Sequence, residues 1–153
     1  MRVFALLWII ALLGCGPMGH TPGIRLGGNE VPAPESFAFL QDGHEEIQLA
    51  AQGALLPRVV NLWAVGDEEA IYVAGRRGSG WVKRLGERPD EARMRVGDDA
   101  YALRSALLTD AAGRQRAFEL FVEKYSIERV SRSVGKPATA GDFEMIFKLT
   151  PRS

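Results

Sequence analysis

Six short segments of this chain carry the marks of β-strands, and only one long segment carries those of a helix. Glu46–Gln52 alternates polar and apolar residues, as a half-buried strand does. Arg58–Val65 is rich in β-branched and aromatic residues, and Ala70–Ala74 follows it across a polar Gly66–Glu69 turn, close enough to pair as a hairpin. Ala92–Val96 places Met94 and Val96 on one face and Arg93 and Arg95 on the other. The Gly97-Asp98-Asp99 turn leads into a strand over Tyr101–Leu107, and Phe143–Leu149 ends the series with Phe143, Met145, Phe147 and Leu149 facing one way. Trp81–Leu85 suits one or two helical turns, closed by Arg88-Pro89-Asp90. The long helix spans 110–126. Thr109 or Asp110 serves as its N-cap, and Phe118, Phe121, Val122 and Tyr125 share the face that lies on the sheet. Residues 131–141, rich in Gly, Ser and Pro, read as loop. This order implies a mainly β (α+β) domain, a small antiparallel barrel with helices at its edge.

The N-terminus reads as an address. Arg2 precedes an unbroken apolar run from Val3 to Leu13, too short for a helix that must span a bilayer with about 20 residues. A basic start, a short apolar middle and small residues after it describe a secretory signal. Leu12-Leu13-Gly14-Cys15 resembles the lipobox of bacterial lipoproteins, which implies a signal peptide over 1–14 and lipidation of Cys15. Acyl chains such as palmitate would then hold the protein on a membrane of the cell envelope, facing the periplasm or exterior. From Gly16 to Glu35 glycine and proline dominate, so 15–36 reads as the lipidated cysteine and a flexible tether, and 37–151 as the domain.

Charge and rare residues exclude several functions. Lys plus Arg equals Asp plus Glu at 19 each among 153 residues, which gives no field for gripping nucleic acid. Loss of 1–14 removes Arg2 and no acid, so the remainder stays close to neutral. Cys15 is the single cysteine, and the histidines number two, His20 and His44. A disulfide framework and a thiolate or polyhistidine metal site are therefore excluded. Asp42-Gly-His-Glu-Glu46 gathers His44 with three carboxylates, but ligands so close on one turn cannot enclose an ion, and the segment reads as a solvated loop. No metal is expected.

Ligand chemistry concentrates in 75–84. Gly75, Gly78 and Gly80 allow close backbone approach, and Arg76, Arg77, Lys83 and Arg84 bring positive charge beside the start of a helix. Directed amides with flanking cations are what a phosphate needs. The segment lacks the Gly-Lys-Ser/Thr ending of a P-loop and the Rossmann glycine spacing.

The order VVNLWAV, AIYVAG, RRGSGWVKRLGERP, ARMRVGDDAY resembles the flavin-binding split-barrel superfamily, which includes pyridoxamine-phosphate oxidase-like proteins and deazaflavin-dependent nitroreductases. Lys83, Leu85, Pro89 and Gly97 take the places of that pattern's basic residue, leucine, proline and turn, whereas Arg84 stands where relatives carry Asn. The resemblance implies a small antiparallel split β-barrel and FMN or a deazaflavin as cofactor. Arg76, Arg77, Gly78, Ser79 and Lys83 would hold its phosphate, while Trp81 and Asn61, with Trp63, would line the pocket. It further implies a homodimer, with hydride chemistry done by the cofactor and no catalytic side chain assigned. The function expected is that of a membrane-anchored oxidoreductase-like lipoprotein acting on a small molecule. The alternative is a non-catalytic lipoprotein using the barrel as a binding or interaction module.

Overall fold

The computed structural model describes residues 21–43 and 47–152. Residues 1–14, where a signal peptide is expected, and Cys15 and His20 lie outside the described residues, as do His44 and the Glu45-Glu46 pair. The described strands are β1 (Asn29–Glu30), β2 (Ile47–Ala51), β3 (Arg58–Leu62), β4 (Ala64–Gly66), β5 (Ile71–Gly75), β6 (Ala92–Val96), β7 (Asp99–Leu107) and β8 (Met145–Pro151). Among the described residues three α-helices accompany them: α1 (Gly80–Glu87), α2 (Ala111–Tyr125) and α3 (Ile127–Val134).

The strands form one sheet in the order β3-β2-β6-β7-β8-β5-β4, antiparallel throughout this path, with β1 added parallel to β7. The two edge strands of that order are consecutive in the chain. Leu62 ends β3 and Ala64 begins β4, with Trp63 alone between them, so at that point the edges stand within about 7 Å of each other. A sheet whose edges are joined by one residue must curl almost closed. It is a split barrel, and Trp63 sits on the seam. The single strand expected over 58–65 is accordingly two: β3 pairs with β2, and β4 makes the hairpin with β5.

Alternation then places side chains on two sides of the wall. Ile71 and Val73 enter the barrel with Leu49, Met94, Leu103, Phe147 and Leu149, while Ala70 and Tyr72 face outward. The outward face of β4, β5 and β8 packs against Ala117, Leu120, Phe121 and Tyr125 of α2 and Val130 of α3. Strands covered on both faces read as unbroken apolar runs, which is why Ile71-Tyr72-Val73-Ala74 shows no polar position. Phe143 precedes β8 and joins this outer core, not the inner face with Phe147 and Leu149.

Two further expectations need correction. Residues 131–141 are not all loop, because α3 occupies Ile127–Val134. Ser126, at φ 65°, separates α3 from α2, and its hydroxyl accepts from the Arg129 amide at 3.4 Å. Gly135 ends α3 in the left-handed conformation that glycine adopts without steric cost. The glycine- and proline-rich stretch is also more than a tether from Thr21 onward. Gly23 bridges Val59, Leu26 packs on Ala50, Val59 and Ala100, and β1 pairs with β7, so 23–30 covers the outer face of β2, β3 and β7, while Val31 and Ala33 pack on the inner core.

Candidate functional site

Helix α1 lies over one end of the barrel because its apolar face, Val82 and Leu85, belongs to the inner core. Its C-terminal end is tied down by Ser105, whose buried hydroxyl donates to the Leu85 carbonyl at 2.9 Å. Its first turn is pressed against β5. A Cβ at Gly75 would stand 2.3 Å from Cζ2 of Trp81, so only glycine admits the indole there. The N-cap is Ser79, whose side chain makes no capping hydrogen bond. The first-turn amides of an α-helix have no partner within the helix and carry its partial positive charge.

The residues of this helix start line a cleft of about 330 Å³ between α1 and β3, an edge strand in the sheet order. Gly78, Ser79, Gly80 and Trp81 form one wall, and Arg58, Val60 and Asn61 form the other, with Pro22 at the rim. Arg58 lies directly against the helix start: a Cβ at Gly80 would meet its Cδ and Nε at 3.4 Å. The Nε of Arg58 is buried and has no hydrogen-bond partner. No acid lines the cleft. An arginine, a helix start and a serine thus line one space, an arrangement whose chemistry suits an anion.

A second cleft, of about 450 Å³, lies beside the first along the seam. Trp63, two residues beyond Asn61, gives it an aromatic wall with Phe121 and Phe143, and Arg76, two residues before Gly78, stands at its rim. One face of the Trp63 ring is covered by Tyr125, stacked at 4.6 Å and 13°, and the Arg129 guanidinium lies 5.3 Å from the Trp63 centroid. Asp142 and Glu144 supply negative charge to this lining. Lys136 beside Asp142, together with hydrogen bonds from Thr139, holds the Asp142 carboxyl down at about 2.

Of the residues singled out in the sequence, Asn61, Gly78, Ser79 and Trp81 therefore meet in the first cleft, and Arg76 borders the second. Arg77 and Lys83 line neither. The Arg77 amide donates to Glu144 Oε2 at 2.9 Å, and Lys83, 74% exposed, lies 3.7 Å from Glu87. The cation that faces the helix start is Arg58, which sequence reasoning passed over. Its signal was present: Arg58 shares strand parity with Val60 and Leu62, which pack on the inner core, and a charged residue in that row wants a reason.

Shifted titrations elsewhere move away from neutrality. Burial, and then a hydrogen bond to Asp67, push the Tyr72 phenol up, and burial and Asp99 do the same to Tyr101. A backbone hydrogen bond and the Ser126 hydroxyl lower Glu128. None of these groups is tuned to exchange protons near pH 7. Among the described residues no cluster of His, Cys, Asp or Glu is arranged to hold a metal ion, and no helix is long and apolar enough to cross a membrane.

No protein-family model matches the chain, and no curated protein matches it by sequence. Solved structures match it in shape. A Listeria innocua structure named for pyridoxamine 5'-phosphate oxidase superposes with a TM-score of 0.56 at 13% identity, covering 74% of this chain and 89% of that one. An F420-H2 dependent reductase, FDR-A, gives 0.54 at 15% identity, covering 69% and 93%. An FAD-binding protein from Mesorhizobium loti gives 0.54 at 15% identity, covering 74% and 85%. The curled antiparallel sheet with its flanking helices is thus the fold these three proteins share with this chain.

Proposed function

We propose that this chain is a membrane-anchored, flavin- or deazaflavin-binding oxidoreductase-like protein that grips the phosphate of its cofactor in the Arg58 cleft. The observation that carries this reading is the buried, partnerless Nε of Arg58 set against Gly80 at the start of α1. Leaving such a donor unpaired costs about 1–3 kcal/mol, so an acceptor that reached this guanidinium would be stabilised. A phosphate oxygen meets that need, and the residues fit it. Arg58 would neutralise the charge, the Ser79 hydroxyl and the amides of Gly80 and Trp81 would donate to its oxygens, and Asn61 would border it. The Trp81 side chain would shield one side from water. The 450 Å³ cleft beside it lies within the usual size of small-molecule sites and would take the ring system or the reactant. When bound, the cofactor supplies the hydride chemistry. The fold shared with an F420-H2 dependent reductase and an FAD-binding protein supports the same reading.

The further parts of the proposal are lipidation of Cys15 in the cell envelope and a homodimer. They rest on the lipobox-like Leu12-Leu13-Gly14-Cys15 and on the split-barrel resemblance. The test is to purify the chain, identify released small molecules by mass spectrometry, and titrate FMN and a deazaflavin by fluorescence. Binding of one of them supports the proposal. Binding of neither leaves the barrel as a non-catalytic interaction module.

A further inference from the structure

The β2–β3 hairpin ends in Gly53-Ala54-Leu55-Leu56-Pro57, and its tip departs from the rest of the surface. Leu55 is 91% exposed and Leu56 54%. No charged residue lies between Ile47 and Pro57. The backbone of this tip is pinned. The Gly53 amide donates to the Leu56 carbonyl at 3.2 Å, and Arg84 Nη1 donates to the same oxygen at 3.2 Å. A Cβ at Gly53 would come within 2.8 Å of that oxygen, so the glycine is required for the closure. The two leucines are therefore presented to water by a fixed loop with a guanidinium at its base. Adjacent exposed leucines on a pinned turn mark a contact surface.

The path of the chain says what they touch. Gly23 and Val59 exchange amide hydrogen bonds of 2.8 and 2.9 Å, so the described chain enters beside β3. Leu56 lies three residues before Val59, within about 10 Å along the backbone. Upstream, the sequence holds the apolar run Val3–Leu13 and Cys15; the six steps from Cys15 to Thr21 can span at most about 20 Å. A membrane that holds the acyl chains of Cys15 is thus within reach of the tip. Arg84 behind the leucines suits anionic headgroups, which attract basic residues at the surface.

We infer that Leu55 and Leu56 insert into the interfacial layer of the membrane that holds the N-terminus, fixing the barrel with its Arg58 cleft next to the bilayer. The inference rests on the membrane-anchor reading. Its test uses the full chain reconstituted in vesicles of phosphatidylethanolamine and phosphatidylglycerol, with or without bromine on the acyl chains. Leu55→Trp is compared with Glu68→Trp, which lies on the exposed β4–β5 turn past the far end of the β3–β4 run, and the parent chain supplies the background from native tryptophans.

The expected result is that all chains float with the vesicles, that the added Leu55→Trp emission is blue-shifted and lost with brominated lipid, and that Glu68→Trp keeps its intensity. Failure of every chain to float overturns the anchor reading and this inference with it. Flotation with an unquenched, unshifted Leu55→Trp overturns the inference alone. An emission that is shifted but unquenched also overturns it, assigning the leucines to a second copy if the mass doubles, or to another surface of the same chain if it does not.

Discussion

Gly75→Ala tests how α1 is held against the barrel. The added methyl would lie 2.3 Å from Cζ2 and 2.7 Å from Cη2 of Trp81, and 2.8 Å from Cγ2 of Val82. Gly75 does not need a positive φ, so alanine meets no backbone penalty and the whole effect is steric. Relief requires the indole and the first turn of α1 to withdraw by about 1 Å, and overpacking of this kind costs about 1–3 kcal/mol. A loss near 2 kcal/mol lowers the urea midpoint by about 1 M for a slope near 2 kcal/mol/M. In a Trp81→Ala background two of the three clashes vanish, and the same substitution should cost less than about 1 kcal/mol. Urea unfolding followed by circular dichroism on the four chains of the cycle gives the coupling. The reasoning fails if Gly75→Ala costs equal amounts in both backgrounds. Because Trp81 lines the Arg58 cleft, the single variant should also weaken any ligand held there.

Other substitutions probe separate parts of the account. Ser105→Ala leaves the buried Leu85 carbonyl without its donor and should cost about 1–2 kcal/mol in denaturant unfolding, although the change removes a single oxygen. Leu26→Ala should cost about 2 kcal/mol, since Leu26 seals Ala50, Val59 and Ala100, and an effect near zero would restore the view of 21–36 as mere tether. Asp142 titrates below its ordinary value of 3.8, at about 2. Its contribution to stability is therefore present above pH 4 and is lost as pH falls toward 2. Carboxyl NMR should show that Lys136→Met moves this titration upward.

Much of the architecture was legible because alternation and turn residues are local signals. Ala92–Val96 lies where its alternation puts it, and Phe121 and Tyr125 are buried on α2 as read, whereas Phe118 and Val122 only flank that face, which Ala117 and Leu120 complete. The break at Trp63 was not legible. A run such as Arg58–Val65 looks continuous, and only the pairing of its halves with β2 and β5, a long-range matter, splits it. Helix α3 was hidden by serines, which favour loops on average; here Ser131 accepts from the Ala138 amide and Ser133 donates to the Val130 carbonyl. At the site, the glycines and Ser79 were found from the turn they make. The sequence shows a cluster of cations in 76–84 but not which way each turns: Lys83 lies beside Glu87 and lines neither cleft, whereas Arg58, eighteen positions before Arg76, lines the cleft at the helix start.

The central claim is that Arg58 and the α1 start bind a phosphate. Fluorescence titration of FMN against riboflavin, on the parent chain and on Arg58→Met, tests it most directly, because the two ligands share a ring and differ in the phosphate. A charge-assisted contact contributes about 1.5–3 kcal/mol, so the account predicts that FMN binds the parent chain at least about tenfold more tightly than riboflavin, and that Arg58→Met removes that difference. Equal binding of the two ligands by the parent chain, or a preference for FMN that survives Arg58→Met, would contradict it.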